Sequence, residues 1–133
     1  GLEPAEFPQW DLRYTGTPTR YMYTVATVDR GYGGSTFFNS VQKLDQHTGE
    51  VLVHTFPEGQ FTSEAVFMPT GEQEGEGYLG AVVYDAGRHV TDFVILDPQS
   101  PTLAEVARVP LKHHIPFGFH CGYTTKAFLP AEI

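Results

Sequence analysis

Val41–Val53 reads VQKLDQHTGEVLV, and Val94–Val109 reads VILDPQSPTLAEVARV. Each stretch is a β-branched run, a Leu-Asp pair, a polar turn, a Glu-Val pair and a second β-branched run, which is how a hairpin is written. The matching leucines, Leu44 and Leu96, stand about 50 residues apart, close to the blade period of kelch-like repeats. A further hairpin precedes each copy, over Tyr21–Phe38 and Tyr78–Val94. Four short strands recurring at that period fit a blade of a β-propeller, and a β-sandwich with coincident hairpins fits the repeat as well. Two blades cannot close a ring, which takes roughly 4–8. On the propeller reading the chain is therefore an arc of something larger.

Short runs rich in Val, Tyr, Phe and Thr cover Arg20–Val28, Phe37–Leu44, Val51–Phe56, Tyr78–Tyr84, Phe93–Leu96 and Val106–Leu111. No stretch carries a helical stripe, so the expected class is all-β. Asp29–Gly34, His47-Thr48-Gly49, Asp85-Ala86-Gly87 and Asp97-Pro98 provide the residues that tight reversals favour.

Composition narrows the function. The 133 residues carry 16 acidic and 8 basic side chains, a net charge of −8, which argues against a nucleic-acid partner because phosphate binding needs clustered Lys and Arg. No apolar run approaches the ~20 residues of a membrane-spanning helix. Cys121 is the one cysteine, so neither an internal disulfide nor a thiolate cluster is available, and a reducing, cytoplasmic setting is expected. The chain starts at Gly1 rather than Met and reads as a piece of a longer protein.

Of the six histidines, His47 and His89 lie in polar turns, His54 alternates on a strand as a surface residue, and His113 and His114 follow Lys112 at a strand end. His120 differs, because Ile115–Gly122, IPFGFHCG, surrounds it with apolar and aromatic neighbours. A polar imidazole there is either a core histidine whose nitrogens find partners or a metal ligand. Glu64 opens the apolar run Ala65–Pro69, and Glu6 precedes Phe7-Pro8. A buried glutamate that accepts the second N–H of a metal-bound imidazole would fix that ring's tautomer and balance the metal's charge. Glu72, Glu74 and Glu76 read as a solvated hairpin tip without chemistry. Nucleophile elbows, P-loops, HExxH and dinucleotide-binding glycine patterns are absent from the sequence.

In order, EFPQWDLRYTGTPTRYMY (Glu6–Tyr23), KLDQHTGEV (Lys43–Val51), FTSEAVFMP (Phe61–Pro69), LGAVVYD (Leu79–Asp85), FVILD (Phe93–Asp97) and VPLKHHIPFGFH (Val109–His120) resemble the C-terminal part of the carotenoid cleavage oxygenases. This family includes apocarotenoid oxygenases, lignostilbene dioxygenases and the retinoid isomerohydrolase. The resemblance covers nearly the whole chain. It implies that residues 1–133 form the C-terminal part, about two blades, of a single seven-bladed propeller domain whose other blades lie upstream.

It also implies a non-haem iron(II), Fe(II), on the propeller axis, held by four histidines with glutamates behind three of them. His120 matches the last histidine ligand. Glu6 and Glu64 match two of the supporting glutamates, and Phe119 is a candidate wall for the substrate, with Phe117 reading rather as core packing. The implied reaction is O2-dependent cleavage of a C=C bond in a carotenoid or apocarotenoid. A lignostilbene-type phenolic alkene is the alternative substrate, and a metal-free β-domain binding an apolar ligand is the alternative of another class. The implied partners are an apolar polyene or stilbene-like molecule and O2, with peripheral membrane contact in the full-length protein. Three positions depart from the family pattern: Gln9 where many members have Arg, Ala65 where Pro is usual, and Cys121 where Gly is frequent.

Overall fold

The structure is a computed structural model that describes residues 3–28 and 37–126. Among the described residues nine strands follow in chain order: β1 (Ala5–Gln9), β2 (Tyr21–Ala26), β3 (Ser40–Asp45), β4 (Val51–Thr55), β5 (Gln60–Thr62), β6 (Val66–Pro69), β7 (Gly77–Asp85), β8 (Val90–Leu96) and β9 (Glu105–Pro110). A 3-10 turn, Leu12–Tyr14, breaks the β pattern, and its entry is capped by the Asp11 carboxylate accepting from the Arg13 N–H. The expected turn at Asp29–Gly34 lies outside the described residues. Among the described residues no helix is long and apolar enough to cross a membrane.

The strands form two antiparallel meanders. One runs β1-β2-β3-β4; the other runs β5-β7-β8-β9, with β6 also paired to β7. Strands β5 and β6 share one partner, since Gln60–Thr62 sit opposite Asp85–Val83 and Val66–Pro69 opposite Gly80–Gly77. They are one interrupted strand, so each sheet is a four-position blade and the repeat seen in the sequence is structural. Leu44 stands next to last in the third strand of one sheet and Leu96 ends the third strand of the other. The aspartate after each leucine closes the same kind of turn: Asp45 Oδ1 accepts from His47 N at 2.9 Å, and Asp97 Oδ1 accepts from Gln99 N at 2.8 Å. At Gly49 the reversal uses φ +75°, where a Cβ would be strained. In the Asp85–His89 turn the left-handed residue is His89, φ 53°, rather than Gly87.

Period-two alternation places Tyr23 and Val25, Val41, Leu79-Ala81-Val83, and Val94 and Leu96 in one buried cluster drawn from both sheets. Tyr23 of β2 stacks on Phe67 of β6 with ring centroids 5.4 Å apart. Polar contacts join the sheets as well. Glu74, read from sequence as a solvated tip, is half-buried, and its Oε1 accepts from the backbone N–H of Arg20 at 2.7 Å and of Tyr21 at 3.1 Å. It ties the β6–β7 loop to the start of β2. His54 likewise is half-buried, edge-on to Phe56 at 4.8 Å, and burial lowers its pKa. Neither property shows in a local pattern, because the covering groups come from distant segments.

Candidate metal centre

Two irregularities in the ladders build the site. Between Thr62 and Val66 the chain takes four steps while its partner takes three, from Val83 to Gly80. Between Glu6 and Gln9 it takes three steps against two, from Val25 to Tyr23. Each is one extra residue, a bulge, in the first strand of its sheet, and bulges re-aim the side chains beside them. Glu64 sits inside the first and Glu6 at the edge of the second. Phe7, φ 54°, supplies the left-handed residue of the β1 bulge.

The bulge turns Glu64 inward, where it is 3% exposed. A carboxylate in that position needs donors. Oε1 accepts from Gln9 Nε2 at 2.7 Å, and Oε2 accepts from the Cys121 backbone N–H. The Nδ1 of His120 lies 3.5 Å from the same Oε1.

His120 is delivered by the segment that follows β9. This segment is anchored by Leu111 N–H to the Thr91 carbonyl at 2.9 Å and by Ile115 N–H to Thr91 Oγ1 at 3.3 Å. From there it crosses the sheet on aromatic contacts. His114 meets Tyr84 edge-on at 5.3 Å, Phe117 stacks on Phe37 at 4.9 Å, and Phe119 and His120 both meet Phe7 at 5.3 Å. His113 and His114 are exposed. Phe117 is 50% exposed and so is a surface aromatic in this chain, not a core residue. The sequence reading placed it in the core because apolar composition alone does not show which side of a strap is covered.

The structure thus brings Glu64 and His120 together and sets Phe119 beside them, its ring 4.4 Å from the imidazole. Glu6 stays exposed, and the contacts from its strand to the site are made by Phe7 and Gln9. Local sequence gave no reason to single out Gln9 as a donor; its one signal was the departure from Arg.

The His120 ring is 65% exposed, and with Nδ1 turned to Glu64 the nitrogen left for a metal is Nε2. Among the described residues no group of three or more His, Cys, Asp and Glu side chains converges on a common point. The residues present therefore fit one ligand of a shared site and no complete site. Burial first, and then the Glu64 charge, pushes the Cys121 thiol up. Against Glu64 opens a cleft of about 180 Å³ whose apolar wall is Phe7, Phe37, Phe38 and Phe117 and whose polar end is Thr62 and Ser63.

The model of the retinal pigment epithelial membrane protein family matches residues 2–125. The chain is 33% identical over 117 residues to the apocarotenoid-15,15'-oxygenase of Synechocystis, covering 86% of this chain and 24% of that protein. It is 32% identical over 130 residues to the chromoplastic zeaxanthin 7,8(7',8')-cleavage dioxygenase of Crocus sativus, covering 90% of this chain and 34% of that one. Among solved structures, cobalt-substituted Synechocystis apocarotenoid oxygenase superposes with a TM-score of 0.76 at 33% identity, over 87% of this chain and 24% of that one. A chimera of that oxygenase superposes at 0.82 and 28% identity, over 93% and 26%. The chain spans about a quarter to a third of the length of these relatives, and its two sheets are an arc of their seven-bladed propeller. By the family match and by these identities, the chain belongs to the carotenoid cleavage oxygenase family.

Proposed function

We propose that the chain is the C-terminal part of a non-haem iron(II) dioxygenase that cleaves a C=C bond of a carotenoid or apocarotenoid, with residues 1–133 forming about two blades of one propeller domain. The observation that carries this is the His120–Glu64 pair. A carboxylate behind Nδ1 fixes the tautomer and leaves Nε2 free to bind. When bound, the metal supplies a site where O2 meets the alkene.

The chain's own residues do the rest. Glu64 holds the proton on His120 Nδ1 and contributes negative charge that lessens the cost of a dication among apolar walls. Glu6, at the second bulge, serves a histidine of another blade in the same way. Phe119 and the phenylalanines of the adjacent cleft exclude water and provide the apolar surface that a polyene needs. The relatives' names support a carotenoid-type substrate. The overall change is C=C plus O2 to two carbonyl groups. In the same reading the protein works in the cytoplasm, at the periphery of a membrane that holds its substrate.

Full-length protein incubated aerobically with an apocarotenal and with a stilbene phenol, with products read by mass spectrometry and metal by elemental analysis, tests the proposal. Stoichiometric iron and a pair of carbonyl products from the apocarotenal are expected. Turnover without bound iron, or cleavage of the stilbene alone, overturns it.

A further inference from the structure

We propose that Gln9 is a positioning residue that sets how Glu64 faces His120. Three facts place it there. Gln9 Nε2 donates at 2.7 Å to Oε1, the carboxylate oxygen that also faces His120 Nδ1 at 3.5 Å. The other oxygen is committed to the Cys121 N–H, so the Gln9 contact is the side-chain contact that holds the near oxygen in place. Finally, Gln9 lies at the end of the β1 bulge and Glu64 inside the other, so this bond joins the two sheets at the bulge in the first strand of each.

Since a carboxylate only accepts, the atom pointing at it is the amide nitrogen, and Gln9 can offer no charge. A neutral donor orients the carboxylate while leaving its full negative charge for the imidazole. A cation in the same place would orient it and neutralise part of that charge. Loss of the donor leaves Oε1 to rotate about the remaining anchor and weakens the hold on the imidazole tautomer.

The inference rests on the proposed role of Glu64 and His120 and is tested together with it. The probe is Co(II), titrated anaerobically into the metal-free full-length protein and followed by its visible absorption and dissociation constant. The proteins are the wild type, Gln9→Leu, Gln9→Arg, Glu64→Gln, His120→Ala and the double variant Gln9→Leu/Glu64→Gln. Gln9→Leu is expected to weaken Co(II) binding about 10-fold and to alter the spectrum. Gln9→Arg, which restores a donor, should recover most of that loss. In the Glu64→Gln background Gln9→Leu should add nothing, because its effect runs through the carboxylate.

A Gln9→Leu protein that binds Co(II) as the wild type does, while Glu64→Gln and His120→Ala bind it weakly, overturns the role of Gln9 and leaves the site standing. A Gln9→Leu loss that is equally large with Glu64→Gln already present also overturns it, since that is the mark of a general packing defect. Wild-type binding in Glu64→Gln and His120→Ala overturns the reading of the site itself.

Discussion

His120 Nδ1 faces Glu64 Oε1 at 3.5 Å although the two residues are 65% and 1% exposed at their side chains. One partner is therefore held rigidly by the fold while the other stands at a surface. In the proposed site this asymmetry would leave the outer nitrogen open to groups from elsewhere while the carboxylate holds the inner one in one tautomer.

Replacing His120 with Ala in the full-length protein should remove iron and cleavage together. His113→Ala and His114→Ala, at exposed positions, should keep both and change stability within about ±0.5 kcal/mol. Elemental analysis, thermal midpoint and initial rate measure the three quantities. Retained iron and rate in His120→Ala would return that residue to the role of an ordinary histidine.

Glu64→Gln keeps the shape but removes the charge behind the imidazole, and changes of this kind typically cost ~10–100-fold in metal affinity or activity. Exposed Glu72 is the appropriate comparison, and Glu72→Gln should match the wild type. The test is a competition with a chelator of known affinity for iron(II).

Glu74→Gln separates stability from metal binding. Its Oε1 accepts two backbone N–H groups of the neighbouring blade, so the variant should lose about 1 kcal/mol in urea denaturation. Iron affinity should be unchanged. A matching drop in affinity would mean that this contact between blades also shapes the metal centre.

Asp92 is fully buried, with Oδ2 accepting from Arg88 at 2.6 Å and from Arg108 at 2.9 Å. Burial pushes its carboxyl up, the two guanidiniums more than offset this, and the group ends below the ordinary aspartate value. A carboxyl depressed by folding contributes stability that is present above its unfolded pKa and is lost as pH falls through the folded value. Asp92→Asn should therefore cost about 1–3 kcal/mol at neutral pH, and the gap from the wild type should close below about pH 4. Urea midpoints at a series of pH values read this directly; a constant gap would contradict it.

The 133-residue chain by itself, with one of the implied ligands and, among the described residues, outer strands without a further partner, should neither hold stoichiometric iron nor cleave an apocarotenal. Anaerobic addition of iron(II) followed by desalting, metal analysis and a product assay checks this. Tight stoichiometric iron would show that the chain's own residues complete a site.

Strand alternation and Asp- or Gly-centred turns are properties of neighbouring residues, so the class, the blade repeat and six of the nine described strands are legible along the chain. The sequence also marked Glu64 and His120, since a polar group in an apolar run needs a partner wherever that partner lies. The tertiary structure decided who the partner is. A bulge exists only as a mismatch between two strands, so neither the split of β5 from β6 nor the turn of Glu64 toward the strap can be read along one of them. The Gln9–Glu64 bond spans 55 positions and depends on two such mismatches occurring at the same edge. The exposure of Phe117 and Phe119 and the bridging role of Glu74 were decided the same way, by which distant segment comes to lie against them.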